Sequence, residues 1–139
     1  MAYLTYTSLN DHVSEQRYCV SRDIAFTTLT SCIVVVGKSS SYFNQVVGAH
    51  LVVFTSTGVF DDDAANEVIE VFAGCTGRTY ILGNIDCWSG QPGGVGTAYA
   101  NVLASLSNCS VVNTGGATIT ATVQGGQVRY KSNGVLGAA

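Results

Sequence analysis

Short apolar runs alternate along the chain with clusters of small polar residues, and the period of the pattern changes twice. "CIVVV" (32–36) is continuous and β-branched, as in a strand covered on both faces. "QVVGAHLVVFTS" (45–56) is a second such run, and "GKSSSYFN" (37–44) between them carries the Gly and Ser of a hairpin turn. Antiparallel pairing across that turn brings the start of the first strand beside the middle or end of the second. In "FDDDAANEVIEVFAGC" (60–75) the period becomes helical. Ala65, Val68, Ile69 and Phe72 share one face, Asp61 to Asp63 supply an N-cap and acidic first turn, and Gly74 falls at C′.

"RTYILGNI" (78–85) predicts another strand, leading into a glycine-rich loop, "DCWSGQPGGVG" (86–96), that holds the one proline, Pro92. Thr97 caps a second predicted helix through "AYANVLASLSN" (98–108), with Tyr99, Val102, Leu103 and Leu106 toward the core. "SVVNTGG", "ATITATVQ" and "QVRYKS" close the chain as strands, with Gly125-Gly126 as a two-residue hairpin turn. The strict alternation of "ATITATV" gives that strand one wet face. Strands with two embedded helices predict an α+β fold, a mixed or antiparallel β-sandwich with about two flanking helices. With no repeat and no linker in 139 residues, one domain is expected over 1–139.

Composition narrows the function. Apolar residues make 47% of the chain and charged ones 11%, which argues against disorder. The net charge is −3, and Arg17, Arg22, Lys38, Arg78, Arg129 and Lys131 are scattered, so no basic face suits nucleic acid. The longest apolar run, Val46 to Phe54, is too short to span a bilayer, and no membrane partner is expected. "MAYLTYTSLNDHVSEQ" has neither the positive nor the apolar region of a signal peptide. The expectation is a cytoplasmic protein, or one exported without an N-terminal signal, working as a monomer.

Cys19, Cys32, Cys75, Cys87 and Cys109 are odd in number and form no CxxC pair, so neither a metal site nor a disulfide framework is expected. "GQPGGVGTAYA" lacks the Walker lysine and the dinucleotide spacing, and neither GxSxG nor HExxH occurs. No cofactor is implied. What remains is Cys32 and His50, each in an apolar run. An imidazole that takes a thiol's proton makes a nucleophile for acyl carbons. Thr27, Thr28, Thr30 and Ser31 crowd just before the cysteine, where a hydroxyl can orient the imidazole and the Ser31 and Cys32 amides can meet an oxyanion. The competing reading makes Cys32 a small buried filler and His50 a core histidine bonded to a backbone carbonyl.

Taken in order, these segments resemble the CheD family of chemotaxis-receptor glutamine deamidases. "LTSC" (29–32) is similar to that family's LGSC nucleophile motif and "GAHLVVF" to its G-x-H segment. The helix after the histidine strand, "ILGNIDCWSG…VGTAYANVLASL" and "VVNTGGATITATVQGGQVRYK" follow in family order, over about Tyr18 to Lys131. Glutamine-deamidating bacterial toxins with an L-S-G-C motif share the fold. The chain departs from the pattern at Thr30 (usually glycine) and at Asn113 (usually aspartate).

The resemblance implies a CheD-like fold and a protein-glutamine deamidase without cofactor or metal, acting on a protein that presents a reactive glutamine. Cys32 is then the nucleophile and His50 the base. Thr27 is the orienting threonine in one register and Phe26 occupies its place in the other; Ser31 and Thr30 border the oxyanion. A catalytically inactive scaffold that binds a partner protein, or a transglutaminase or amidase using the same thioester, are the alternatives. Trp88, Tyr42 and Phe43 are candidate contact aromatics, or else caps of the core.

Overall fold

β-branched residues crowd the rotamers of a helix and fill a pleated surface well, so the two longest apolar runs become the central strands. The structure, a computed structural model, describes residues 3–40, 44–55, 58–91 and 93–137. Strands β1 (Thr5–Tyr6), β2 (Arg17–Ser21) and β3 (Asp23–Ala25) precede the central pair, β4 (Ile33–Ser39) and β5 (Val46–Leu51). A ribbon of β6 (Phe54–Thr55) and β7 (Gly58–Val59) leads into helix α1 (Asp62–Phe72). Then follow β8 (Cys75–Gly83), α2 (Ile85–Ser89), α3 (Gly93–Ser105), β9 (Cys109–Asn113), β10 (Ile119–Gln124), β11 (Gln127–Ser132) and β12 (Val135–Leu136).

The fold is α+β. A six-stranded mixed sheet has the order β1-β2-β5-β4-β8-β9, with parallel pairs at both edges. A second sheet, β12-β11-β10-β3, is antiparallel throughout. β4 and β5 pair with Ile33 opposite Leu51 and Val34 opposite His50. Alternation then sorts the faces. Gly48 and His50 face the second sheet: a Cβ at Gly48 would lie 2.8 Å from the Phe26 ring and 3.2 Å from Ile24. Tyr80 of β8 meets Tyr130 of β11 edge-on at 5.1 Å. The opposite face takes the helices, with Gly37 against Phe72. The buried apolar residues form one cluster through these layers.

Asp61 accepts from the Ala64 amide at 2.9 Å and caps α1, whose buried face is Ala64, Ala65, Val68 and Phe72. Gly74 follows the C-cap residue Ala73 without a left-handed φ. Gly125 and Gly126 do take positive φ, 60° and 77°, and turn β10 into β11.

Four expectations change. β4 runs through Ser39, into the segment expected to be the hairpin turn. Strands also form ahead of the first predicted one, where β2 pairs with β5. The segment after β8 is helix rather than loop. Thr97 lies inside α3, which begins four residues earlier at Gly93, so it is not a cap. A Cβ at Gly96 would sit 2.5 Å from the Gln91 carbonyl. That glycine allows α3 to press closely on the chain leaving α2. Tyr42, Phe43 and Pro92 lie outside the described residues.

Candidate active site

The segment between β3 and β4 is pinned by its carbonyls. The Asn84 amide donates to Cys32 O at 3.2 Å, the Asn84 side-chain amide to Thr30 O at 3.1 Å, and Trp88 Nε1 to Ser31 O at 2.9 Å. Three consecutive carbonyls are thus held by the turn from β8 into α2. Gly83 makes the approach possible: its φ is +130°, and a Cβ there would fall 2.6 Å from Cys32 O. Gly116 abuts the other end, with a virtual Cβ 2.9 Å from Leu29 O. Among the described residues the Ser31 and Cys32 amides donate to no protein acceptor. Paired donors free at a nucleophile's own backbone are the raw material of an oxyanion hole.

His50 is fully buried on β5. Its Nδ1 lies 3.0 Å from Val13 O and 3.3 Å from Thr27 Oγ1. A carbonyl only accepts, so Nδ1 carries the proton and Nε2 presents its lone pair. Val13 is itself fixed, its amide donating to Ala25 O at 2.8 Å and its carbonyl accepting from the Thr27 amide at 3.1 Å. The Gln16 amide holds His50 O at 2.8 Å. Nε2 is buried and has no hydrogen-bond partner among the described residues. Burial pushes the imidazole pKa down, against the opposing pull of the Val13 carbonyl and the Glu15 charge, so the ring is neutral near pH 7. Phe26 stands edge-on to it, 6.2 Å between centroids.

Cys32 is 3% exposed. Continuing the β4–β5 register by one residue sets it opposite Val52, diagonal to His50 on the same face, roughly 7–8 Å away along the backbone. Thiol and imidazole are not hydrogen-bonded; Sγ is directed instead at Glu15 Oε1, 3.9 Å away. Burial, and then the Glu15 charge, push the thiol up from an ordinary 9.0 to about 11. The Thr30 amide and hydroxyl beside the sulfur pull weakly the other way.

The structure thus places Thr27 at His50 and Thr30 at Cys32, two pairs with no hydrogen bond between them, and Ser31 contributes its backbone while its side chain is exposed. Phe26 packs on the ring rather than orienting it. Trp88 is a core residue, fully buried between Phe60 and Tyr99. Val13, Glu15 and Tyr3, which arrive from the N-terminal segment, carry no local sequence signal that points to the site. Asn84 and Trp88 stand in the segment likened to the CheD pattern, yet nothing in their spacing showed that they bind the carbonyls before the cysteine.

All five cysteines are free. Among the described residues no cluster of His, Cys, Asp or Glu could hold a metal ion, and no helix is long and apolar enough to cross a membrane. A groove of about 610 Å³ lies elsewhere, on the second sheet beside Arg22, Arg129 and Lys131; Cys32 and His50 do not line it. No family model, curated protein or solved structure matches the chain.

Proposed function

We propose that the chain is a CheD-like protein-glutamine deamidase, with Cys32 as nucleophile, His50 as base and Thr27 as orienting residue. The observation that carries this reading is the state of His50. Its Nδ1 proton is committed to Val13 O and Thr27 Oγ1, and its Nε2 lone pair is buried, unpartnered and diagonal to a buried thiol. Leaving such an acceptor unpaired costs roughly 1–3 kcal/mol, which a catalytic base recovers when it meets a proton.

With a neutral imidazole and a protonated thiol, the proton moves to Nε2 as sulfur attacks. The S–C bond forms at the side-chain amide carbon, and the Ser31 and Cys32 amides receive the oxyanion. Collapse breaks the C–N bond while His50 returns the proton, so nitrogen leaves as ammonia. Water, deprotonated by His50, then adds to the thioester; the S–C bond breaks, and glutamate and the free thiol remain. The partner is a protein presenting a glutamine, met in the cytosol of the producing cell or of a target cell. Free thiols suit such a reducing compartment.

Intact-mass measurement of candidate proteins tests this. A gain of about one mass unit with ammonia release is expected, lost in Cys32→Ala and reduced at least about 10²-fold in His50→Gln. Equal conversion by either variant, correctly folded, ends the proposal.

A second reading has its own support: an inactive scaffold that binds a partner protein. The thiol's partner is Glu15, not His50, and its pKa lies well above neutral. Under that reading Cys32→Ala binds the same partner with unchanged affinity and no candidate protein gains mass.

A further inference from the structure

Cys32 Sγ is the sole hydrogen-bond or ion-pair partner of the Glu15 carboxylate among the described residues. Cys32 is buried and Glu15 exposed, so the carboxylate stands on the solvent side of the sulfur. Its position is built in from both sides. Val13, two residues before, is clamped between Ala25 and His50, and Gln16, the next residue, donates to His50 O. Between them the chain makes a tight turn, with Gln16 at φ 62° and the Arg17 amide on Ser14 O at 3.2 Å. Glu67, the other carboxylate tied into this part of the fold, is occupied by the Tyr3 and Leu4 amides at 2.9 and 3.1 Å.

Primary amides and carboxylates have nearly the same shape but opposite demands. The amide brings two N–H donors; the carboxylate brings none and a negative charge. We propose that Glu15 is a specificity residue of the Cys32 site: it accepts a hydrogen bond from the NH₂ of an incoming primary carboxamide and repels carboxylates. The inference rests on Cys32 as the group that meets substrate, and it names the substrate class as side-chain carboxamides, with the acid product expelled. The same charge opposes formation of the thiolate, so Glu15 does not serve to activate the nucleophile; recognition is the role its geometry suits. Like charges about 4 Å apart in water separate the two ligands by roughly fivefold, and more as water is excluded.

Iodoacetamide and iodoacetate provide the test, because they alkylate the same thiolate and differ as amide and acid. Rates at Cys32 are read by peptide mass mapping at one pH, in the folded chain and in urea. Their ratio is independent of how much thiolate is present, so a change in the thiol's pKa on mutation cancels. The ratio of iodoacetamide to iodoacetate is expected to be at least about fivefold higher in the folded protein than in urea. Glu15→Gln should bring it to the unfolded value, and Glu15→Asp should keep most of it. A folded ratio equal to the unfolded one, a ratio unmoved in Glu15→Gln, or a Cys32 that neither reagent reaches overturns the proposal. If the ratio collapses in Glu15→Gln although the wild type deamidates nothing, Glu15 is upheld and the deamidase reading fails. If the ratio is unmoved while deamidation persists, only the role of Glu15 fails.

Discussion

At Cys32 two effects compete for one proton. Removing a thiolate from water disfavours it, and the Glu15 carboxylate disfavours it further; the Thr30 amide and hydroxyl recover only part. A folded-state value of about 11 against 9.0 has a definite sign for stability. The native state holds its proton longer than the unfolded chain, so this group's contribution is complete below pH 9 and is lost as pH rises from 9 through 11. Its size is on the order of 2 kcal/mol. Urea unfolding at pH 8 and pH 10.5 checks it: the wild type should lose more stability between the two than Cys32→Ala does. Glu15→Gln should fall between them, because it removes the second cause and leaves burial. Equal losses in wild type and Cys32→Ala would show that the thiol is no more buried folded than unfolded.

The turn from β8 into α2 sets the shape of the nucleophile segment, and Gly83 is where it is most exposed to substitution. Adding a methyl group there meets two objections, a φ of +130° and a backbone oxygen, Cys32 O, at 2.6 Å. Gly77, on the same strand, has a φ of +72° and nothing within 4 Å, so it isolates the conformational cost alone. Gly77→Ala should cost about 1 kcal/mol in urea unfolding and leave deamidation intact. Gly83→Ala should cost at least about 2–3 kcal/mol, since Cys32 O must retreat from the Asn84 amide. Ammonia release should fall with it, as the carbonyls that expose the Ser31 and Cys32 amides shift. Equal costs at the two glycines would mean that the segment yields freely, and the pinned-carbonyl account would fail.

Across the whole molecule, what was legible in the sequence follows the range of the interactions. β4, β5 and the β10–β11 hairpin were readable because branched side chains, alternation and Gly125-Gly126 are local signals. The hairpin pattern leaves the β4–β5 register open: it allows Cys32 to lie near His50 without requiring it, and β4 runs on to Ser39, inside the expected turn. Thr27 is one of two registers for the orienting residue. α2 was missed because five residues give barely more than one helical turn, too few to show a period, and α3 began inside a glycine run that reads as loop. Val13 and Glu15 were invisible for another reason. They reach the site only through the crossing of the N-terminal segment over β3 and β5, and no short-range pattern encodes a crossing.

That crossing suggests where the site depends on the rest of the fold. Tyr3 passes its hydroxyl to Val52, donating to the carbonyl at 2.7 Å and accepting from the amide at 2.8 Å, while its ring meets Phe60 edge-on at 5.2 Å. Val52 is the residue opposite Cys32 when the strand register is continued, so one phenol closes the end of the sheet beside the thiol. Tyr3→Phe keeps the ring and strands both backbone groups of a buried residue. At roughly 1–3 kcal/mol for each unsatisfied group, the loss should be on the order of 2–4 kcal/mol in urea unfolding. Opening at this edge should also expose Cys32 locally, raising its iodoacetamide rate at a pH where the chain remains folded. Tyr6 is 52% exposed and its ring meets the Tyr18 ring edge-on at 5.4 Å, so Tyr6→Phe should change neither quantity measurably. If Tyr3→Phe unfolds no more readily than Tyr6→Phe, the end of β5 is held by packing alone and the Tyr3 hydroxyl is dispensable to the site.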